Sequence, residues 1–523
     1  MKYNKAKLRP EEAAALEIRG LYETFGYTKF KMNRFEEYSL YASNKDFLAG
    51  DKVLTFTDLD GRLMAMKPDV TLSIIKNVEA ESKDVSQKLY YVENVYREDK
   101  GSNNFKEIAQ MGLEYIGNVD LAGITEVVAL ASETLRIINR RYVLGLSHMG
   151  FVEELLNKAT SSQEVYFHLL KLIRNKNIDG IRKVGTKAGI SKENLEPLAT
   201  VPTLFGDFYK TMERAEKLVI SPAMDDALKQ LNAVYEGLQE MDAAENVELD
   251  LAMVNDIDYY NGIIFKGYLE DLPESVLAGG QYDRAMALFG KPVGALGFAL
   301  YLNEIARLGQ KAEKASDDML TIALPKGRLG DQVYDILSKG GYDCPEYLDK
   351  NRKLVVESCE KKVRYLLVKP SDVAVYVQHH VADVGIVGKD IILETDPDVY
   401  ELKDLDIGKC RMAVAAPKGY TEDRENTLRI ATKYVNVAKK FYGERNRDIE
   451  IIKLNGSIEL GPILGLSDVI VDIVETGNTL RENNLEVIEN IKPISARFIA
   501  NKSSYKFKTD RISAMVSRLG GQK

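Results

Sequence analysis

Apolar and polar positions follow two different patterns along the chain. Up to residue 312, segments with helical spacing, such as residues 11–25, lie between long alternating segments at residues 88–98 and 105–116. This pattern predicts an antiparallel sheet with helices packed on it. Residues 145–251 have mainly helical patterns and predict a helical insertion. From residue 319 onward, short β-branched runs alternate with helical segments, which predicts an α/β domain with largely parallel sheets.

The two patterns meet in a charged stretch, residues 308–318, that has no apolar periodicity. We therefore predict a first domain at residues 1–312, with its helical insertion at about 145–251. A linker follows at residues 313–318, and a second domain occupies residues 319–523.

Composition narrows the class of protein. The chain has 523 residues and a net charge of −8, which argues against a nucleic-acid surface as its main partner. It has neither the apolar core of a signal peptide nor a run that approaches a membrane span, so we expect no membrane partner. Three scattered cysteines, Cys344, Cys359 and Cys410, suggest reduced thiols in the cytoplasm.

Histidines are equally sparse: the chain has four, and none has the spacing of a zinc site. We predict no metal site built from protein ligands alone. Catalysis by a Cys–His or Ser–His pair has little support. The chemistry is therefore expected to depend on phosphates, carboxylates and cations.

The stretch at residues 466–480 combines a buried strand, a small polar loop and the start of a helix. Such a junction can bind an anion through backbone amides and hydroxyls. A carboxylate followed by T-G-x-T is also the pattern of a phosphoribosyl diphosphate (PRPP) loop. We expect the loop to bind PRPP through Asp472, Glu475, Thr476, Gly477, Asn478 and Thr479. The alternative is an ordinary strand–turn–helix corner.

A second phosphate site is predicted where the apolar run at residues 319–324 ends. Lys326, Gly327 and Arg328 follow that run and precede a helical segment. Cations beside a glycine at a helix start suit a phosphate. The alternative is a basic turn at the surface.

The strand at residues 105–116 has a polar face. Gln110, Gly112 and Glu114 alternate with apolar residues and therefore share one side of the sheet. This stripe could line a small-molecule pocket, and a solvated sheet face is about equally compatible with it.

The first domain resembles histidyl-tRNA synthetase. The resemblance depends on the order of K-P-D-V-T (67–71), Y-R-E (96–98), Q-M-G-L-E (110–114), D-Y-Y-N-G (258–262) and A-G-G-Q-Y-D (278–283). It implies an α+β class II synthetase core, an antiparallel sheet flanked by helices. It also implies a histidine pocket formed by Asp69, Thr71, Arg97, Gln110, Glu114, Tyr259 and Tyr260.

Departures from that family change the expected function. The family has an arginine where this chain has Asn255, and its motif G-F-A-x-G-x-E-R ends in an arginine where this chain has Glu304. An acid at that position would repel the phosphates of ATP. No anticodon-binding domain follows. We therefore expect neither aminoacylation nor a tRNA partner, and the domain resembles the regulatory subunit of ATP phosphoribosyltransferase.

Residues 319–523 resemble the short-form catalytic subunit of the same enzyme. The motifs are L-P-K-G-R-L (324–329), K-P-S-D-V (369–373), A-D-V-G-I-V-G-K-D (382–390), G-K-C-R-M-A-V-A (408–415) and the PRPP loop. The resemblance implies two α/β lobes around a cleft, as in periplasmic binding proteins. Lys369 replaces the usual arginine, which keeps the charge but loses a bidentate contact. Val471 stands where ordinary PRPP loops have a second acid, although this family commonly lacks it.

Together the resemblances imply a fused ATP phosphoribosyltransferase, which converts ATP and PRPP to N1-(5-phosphoribosyl)-ATP and pyrophosphate. We expect Asp472 to hold ribose hydroxyls, and Lys326, Arg328 and Mg²⁺ to act on the phosphates. Arg411 and Glu459 are further candidates for the cleft that binds ATP. Histidine would inhibit the enzyme through the first domain, and the chain would form a homo-oligomer.

Two other functions stay open at this point. One is a non-enzymatic amino-acid sensor whose second domain is a solute-binding lobe pair. The other is a variant histidyl-tRNA synthetase. The paired threonines of T-G-N-T argue against the first, since a neutral solute needs no phosphate loop, and Asn255 and Glu304 argue against the second. The effector site is also open, either inside residues 1–312 or at an interface between the halves.

Overall fold

The computed structural model describes residues 8–43, 53–78, 86–99, 104–255, 260–308, 319–349 and 352–519. The chain separates into two compact units, Met1–Ala315 and Ser316–Lys523. The predicted linker at residues 313–318 lies outside the described residues and stays a prediction.

Strands of the N-terminal unit form a large sheet and a small one. Their bounds are β1 Thr28–Lys29, β2 Phe35–Glu37, β3 Thr55–Thr57, β4 Leu63–Met66, β5 Gln87–Asp99, β6 Asn104–Gly117, β7 Tyr142–His148, β8 Phe205–Gly206, β9 Val247–Asp250, β10 Ile263–Leu269, β11 Ser275–Gln281 and β12 Gly294–Tyr301. The nine-stranded sheet has the order β1-β5-β6-β12-β11-β10-β7-β9-β8, and β2-β4-β3 form the small sheet. Pairing in the large sheet is antiparallel except at β1–β5 and β7–β9, as the class II core predicts.

Helices of this unit cover the sheet and form the insertion. Their bounds are α1 Pro10–Thr24, α2 Tyr38–Ala42, α3 Val70–Asn77, α4 Leu121–Ile138, α5 Met149–Ala159, α6 Gln163–Arg174, α7 Ile178–Lys187, α8 Lys192–Thr200, α9 Phe208–Glu216, α10 Pro222–Glu240, α11 Asp283–Leu288 and α12 Leu302–Ile305. A single apolar cluster joins α1, α4 and the insertion helices to the sheet. The insertion is mainly helical, and it also supplies β8 and β9, which extend the sheet at one edge.

Strands of the C-terminal unit form two lobes. Their bounds are β13 Leu320–Pro325, β14 Val355–Ser358, β15 Val363–Val368, β16 Val384–Gly388, β17 Tyr400–Asp404, β18 Cys410–Pro417, β19 Leu428–Thr432, β20 Ile449–Lys453, β21 Val469–Val474, β22 Leu485–Ile494 and β23 Ala496–Ala500. Lobe 1 is the six-stranded sheet β14-β15-β13-β16-β23-β17, and lobe 2 is the five-stranded sheet β20-β19-β21-β18-β22.

Helices of this unit pack on both sheets. Their bounds are α13 Arg328–Lys339, α14 Pro345–Leu348, α15 Val373–Gln378, α16 Lys389–Thr395, α17 Val435–Gly443, α18 Leu460–Ile463, α19 Asn478–Glu482, α20 Lys502–Phe507 and α21 Thr509–Arg518. α18 and the residues after it expose several apolar side chains, among them Leu460 and Leu464.

The expectation of largely parallel sheets was wrong, because both sheets are mixed. Strands joined by helical crossovers are parallel, as in β15-β13-β16 and β20-β19-β21. The strands that carry the chain between the lobes, β18, β22 and β23, are antiparallel to their neighbours. β18 and β23 enter from the other lobe without a helical crossover, so the rule that makes strands joined by such crossovers parallel does not apply to them. β22 follows α19 within lobe 2 and leaves that lobe at its end.

Two adjacent segments connect the lobes, residues 405–409 and Ser495. Leu405 N donates to Ala496 O, and Ala496 N donates to Ile407 O, each at 3.0 Å. Beside them, Arg497 pairs with Asp404 at 2.8 Å and is 7% exposed. The connection is therefore a hydrogen-bonded pair of segments anchored by a buried ion pair in lobe 1.

Candidate functional site

A cleft of about 1030 Å³ lies between the lobes of the C-terminal unit. Its charged lining residues are five carboxylates and three cations: Asp390, Glu394, Glu459, Asp472, Glu475, Arg328, Lys369 and Lys433. The volume suits ligands larger than an amino acid. Polyanionic ligands would need additional positive charge, because the lining carboxylates outnumber the cations.

The predicted strand–loop–helix is present at the cleft. Asp472 lies on β21, where the Ile473 amide donates to its Oδ1 at 2.8 Å. Burial raises the pKa of the Asp472 carboxyl, while that amide and the Lys433 charge oppose the rise. Gly477 has φ +74°, a left-handed conformation that favours glycine, and turns the chain into α19.

All the loop residues predicted to bind a phosphate line this cleft: Glu475, Thr476, Gly477, Asn478 and Thr479. Both threonine side chains are exposed there. The Asn478 amide lies 3.4 Å from Thr476 Oγ1, and Arg481 donates to the Asn478 side-chain oxygen. The loop thus presents hydroxyls and the start of a short helix to the cleft.

Arg328 reaches the same loop from lobe 1. Its Nη2 donates to both oxygens of Glu475, at 2.8 Å and 2.7 Å. The turn before it depends on two glycines: Gly327 has φ +95°, and a Cβ at Gly330 would lie 1.8 Å from Pro325 O. The P-K-G-R-L-G sequence therefore places Arg328 on the cleft at the start of α13.

On another side of the cleft, α16 of lobe 1 meets α17 of lobe 2. Tyr434 OH donates to Asp390 at 2.7 Å. The Asn436 and Val437 amides, in the first turn of α17, donate to the Glu394 carboxylate at 2.9 Å and 3.1 Å. A carboxylate from one lobe thus caps a helix of the other.

Lys433, Tyr434 and Asp390 were missed from the sequence. Lys433 Nζ lies 3.9 Å from Asp472 Oδ1 and 4.8 Å from the centre of the Tyr434 ring. A signal was available, because Lys433 and Tyr434 directly follow the parallel strand β19. Ligands in α/β folds bind at the carboxyl ends of such strands.

Other predicted residues lie in or beside the cleft. Glu459 is half-buried and lines it, as does Lys369. Among the described residues that line the cleft, Lys326, Gly327 and Arg411 do not occur. Lys326 is exposed, and Arg411 pairs in register with Val474 on β21. Their predicted roles stay predictions.

In the N-terminal unit, the predicted polar face of β6 is confirmed. Gln110, Gly112 and Glu114 pair with alternate residues of β12: Tyr301, Ala299 and Gly297. The small residues leave room for larger side chains from neighbouring strands. A Cβ at Gly112 would lie 2.4 Å from Tyr91 OH, and one at Gly280 would lie 2.6 Å from the Tyr260 ring.

Glu114 lies at one end of this face and is 2% exposed. Thr71 Oγ1 donates to one of its oxygens at 3.1 Å, and Tyr282 OH donates to the other at 2.6 Å. A Cβ at Gly297 would lie 1.7 Å from Glu114 Oε2, so only glycine leaves space for the carboxylate. Burial raises the pKa of Glu114 to about 8, although both hydrogen bonds oppose the rise.

Asp69 and Arg97 form an ion pair at 3.2 Å beside this face. Arg97 also donates to Pro68 O at 2.8 Å, and Asp69 accepts the Leu72 amide as the N-cap of α3. Asp69 therefore has a structural role as well as a position near the candidate pocket.

Tyrosines complete the surroundings of Glu114. Burial raises the pKa values of Tyr91, Tyr260 and Tyr301. Tyr259 lies outside the described residues, so its predicted role stays a prediction. Tyr91, Tyr282 and Tyr301 were not predicted, although Tyr282 belongs to the A-G-G-Q-Y-D motif used for the resemblance.

Two family models match the chain. One described as "ATP phosphoribosyltransferase" matches residues 369–521, and one described as "Histidyl-tRNA synthetase" matches residues 3–305. The second match covers more than half of the chain. The two matches lie in different compact units.

Curated relatives match the C-terminal unit closely. An ATP phosphoribosyltransferase from Brachyspira hyodysenteriae is 63% identical over 202 residues, which are 38% of this chain and 98% of that protein. One from Bacillus licheniformis is 52% identical over 202 residues, 38% of this chain and 93% of that protein. Both relatives are covered almost completely.

A solved structure resembles the chain in fold. It is described as an ATP phosphoribosyltransferase regulatory subunit/histidyl-tRNA synthetase from Bacillus halodurans. The match has a TM-score of 0.52 and 21% identity, and covers 69% of this chain and 88% of that one. In the described ranges, no helix has both the length and the apolarity to span a bilayer.

Proposed function

The chain belongs to the ATP phosphoribosyltransferase family through its C-terminal part and to the histidyl-tRNA synthetase family through residues 3–305; on that premise, we propose how its two units share one regulated reaction. The chain is an ATP phosphoribosyltransferase, which makes N1-(5-phosphoribosyl)-ATP and pyrophosphate from ATP and PRPP in the first step of histidine biosynthesis. The observation that carries the site assignment is the T-G-N-T loop facing Arg328 across one cleft.

In this reaction the N1 lone pair of adenine attacks C1′ of PRPP, and the C1′–O bond breaks with its electron pair leaving on pyrophosphate. Because N1 already has a lone pair, no strong general base is needed. We assign the 5′-phosphate to the loop from Glu475 to Thr479 and the ribose hydroxyls to Asp472. Catalysis then depends on positioning and on cations that stabilise the leaving group.

Arg328 is the cation we assign to the leaving pyrophosphate or the ATP phosphates, and Lys326 is a second candidate next to it. The Nη2 of Arg328 donates to both oxygens of Glu475. Substrate phosphates would compete with that carboxylate for the same donors. Arg411 and Glu459 remain candidates for contacts with ATP.

Mg²⁺ fits this cleft as a companion of the substrates. The cleft lining has five carboxylates and only three cations, and PRPP and ATP would bring further negative charge. A divalent cation bound with the substrates would reduce the resulting repulsion. Within the described residues, no group of three or more His, Cys, Asp or Glu forms a metal site. Phosphate oxygens would therefore supply most ligands of the metal, and Asp472 and Glu459 are the lining carboxylates we propose as further ligands.

The N-terminal unit is proposed to sense histidine as the inhibitor. Glu114 and Asp69 supply carboxylates for an ammonium, and Arg97 supplies a cation for a carboxylate. Gln110, Thr71, Tyr259 and Tyr260 complete the assignment. Glu304 pairs with Arg307 at 2.6 Å instead of offering a cation to a phosphate, which supports a role without tRNA or aminoacylation.

The proposal extends to the assembly of the chain and its location in the cell. We expect a homo-oligomer, because both families self-associate. Free thiols at Cys344, Cys359 and Cys410 support a reducing compartment such as the cytoplasm.

One assay tests both halves. Purified full-length protein is incubated with ATP, PRPP and Mg²⁺, with and without histidine, and product is followed by its ultraviolet absorbance. Product formation that histidine suppresses supports the whole proposal. Formation that histidine does not affect contradicts the sensor, and no formation by folded protein contradicts the enzyme and favours a binding module.

A further inference from the structure

The face of the candidate pocket in the N-terminal unit has different residue types at its two ends. Across β6 and β12 the pairs are Glu114–Gly297, then Gly112–Ala299, then Gln110–Tyr301. The first pair holds the buried carboxylate and the second consists of small residues. The third pair is the only one of these three with a large aromatic ring.

Tyr301 belongs to the polar end that contains Arg97 and Asp69. Burial raises the pKa of its phenol, the Arg97 charge lowers it, and the Asp69 and Glu274 charges raise it. Arg97 lies on the same face, because β5 pairs Glu93 with Gln110 and Arg97 with Lys106. The register therefore puts Tyr301 and Arg97 on one face of the sheet, toward the end where β5 and β6 turn into each other.

Tyr301 is larger than the residue that the synthetase motif has at this position. In the motif G-F-A-x-G-x-E-R the corresponding residue is glycine, which would leave the face open beside Gln110. The two later positions are also changed, to Asn303 and Glu304. Asn303 accepts the Ala109 amide at 2.6 Å, and Glu304 pairs with Arg307 at 2.6 Å.

At this end of the face Tyr301 adds a partly buried ring, and Asn303 and Glu304 are bound to neighbours in the same unit. An α-carboxylate is bound by a cation, so an amino acid with its ammonium toward Glu114 would direct its carboxylate toward Arg97. Anything attached to that carboxylate would extend toward the Tyr301 ring. An attached group and the ring would then compete for one volume.

We propose that Tyr301 is a specificity-determining residue that closes the Arg97 end of this pocket, so that the pocket accepts a free α-amino acid and excludes its carboxyl-extended derivatives. The inference rests on the proposed histidine-sensing function of the same pocket. Its consequence is that the regulatory unit responds to the free end product and ignores peptides and activated forms of it.

The test uses the full-length chain and calorimetric titration with two probes, L-histidine and the dipeptide L-histidyl-glycine. The dipeptide keeps a carboxylate but places a residue between it and the histidine. Three proteins are compared: wild type, Tyr301→Ala, which removes the ring, and Tyr301→Phe, which keeps the ring and loses the hydroxyl. Circular dichroism and thermal unfolding establish that each variant is folded.

We expect wild type and Tyr301→Phe to bind L-histidine much more tightly than L-histidyl-glycine. In Tyr301→Ala the ratio of the two dissociation constants should fall by roughly 10- to 100-fold. An unchanged preference in folded Tyr301→Ala would overturn the inference while leaving histidine sensing intact. Loss of both ligands by folded Tyr301→Ala would also overturn it, because the residue would then be a required contact. Wild type that binds no histidine would overturn the sensing function and this inference together.

Discussion

Glu114 and Glu475 are the central carboxylates of two sites with opposite construction. Glu114 is 2% exposed and accepts hydrogen bonds from Thr71 and Tyr282, both held on the same unit. The Glu475 side chain is 52% exposed and is paired with an Arg328 side chain that is 74% exposed. One carboxylate is fixed by its surroundings, and the other is held by a contact that solvent reaches.

This difference matches the two tasks. An exposed ion pair contributes only about 0–1 kcal/mol, so a substrate phosphate can replace Glu475 on Arg328 at little cost. A buried carboxylate with its hydrogen bonds satisfied is costly to rearrange, and it gives a fixed shape that can select one effector. We infer that the cleft is built for exchange of ligands and the pocket for discrimination between them.

The largest effect is expected from the loop of the cleft. Thr476→Val combined with Thr479→Val removes two exposed hydroxyls without a large change in volume. If both hydroxyls bind a phosphate, kcat/KM for PRPP should fall by roughly 10²- to 10⁴-fold, since a hydrogen bond to a charged group contributes about 1.5–3 kcal/mol. Product formation measured at varied PRPP concentrations checks this.

Thr421→Val is the matched control, because Thr421 is exposed in lobe 2 and is not among the cleft-lining residues. It should behave like wild type. Near-normal kinetics in the double variant would show that this loop is an ordinary strand–turn–helix corner.

A second prediction concerns the exposed ion pair itself. Arg328→Ala should lower kcat/KM by about 10²-fold, because a cation at the leaving phosphates is lost. The kcat/KM of Arg328→Lys should lie between those of wild type and Arg328→Ala, since lysine keeps the charge but loses the planar guanidinium with its larger set of donors. Thermal unfolding should change little in both variants, because the pair with Glu475 is exposed.

A large loss of stability in Arg328→Ala would contradict the comparison. Such a loss would mean that the Arg328–Glu475 pair stabilises the contact between the lobes, and is not a contact that a substrate phosphate replaces at little cost.

The third prediction applies to the buried carboxylate. The folded-state pKa of Glu114 is about 8, against about 4.3 for an unfolded glutamate. Between these values the folded chain binds a proton that the unfolded chain has lost. The contribution of Glu114 to stability is therefore complete below about pH 4.3 and is lost as pH rises through about 8.

Glu114→Gln cannot ionise, so its stability relative to wild type should increase by a few kcal/mol, about 2–5, between pH 5 and about 9. Histidine inhibition should be lost or weakened by about 10- to 100-fold, because the ammonium of the effector favours ionisation of Glu114, and glutamine cannot ionise. Denaturant unfolding at several pH values and inhibition assays check the two effects. Unchanged histidine sensitivity would move the effector site away from this pocket.

Much of this comparison could be predicted from the sequence, and the reason is local. The T-G-N-T loop and the polar face of β6 each depend on residues close together in the chain, where strand alternation and turn chemistry decide the geometry. The contacts of Tyr282 and Glu394 could not be predicted from local sequence. Tyr282 reaches Glu114 across 168 positions of sequence, and Glu394 meets α17 from another lobe.

The mixed sheets were missed for a related reason. An apolar run at residues 412–416 predicts β18, but the direction of that strand depends on the chain passing between lobes. Lys433 is a different kind of omission, since its position after β19 was readable and only its contact with Asp472 needed the structure.

The smallest effect is expected where one lobe caps a helix of the other. Glu394→Gln keeps an acceptor for the Asn436 and Val437 amides but removes the charge that favours a helix N-terminus, worth about 0.3–1 kcal/mol. Thermal stability should fall slightly, and KM for the substrates should change by no more than about 5-fold. Glu425→Gln, an exposed change in lobe 2, is the matched control. A loss of activity as large as that of Arg328→Ala would place Glu394 among the substrate-binding groups. The cleft would then contain a fixed contact of the kind that we assign only to the pocket around Glu114.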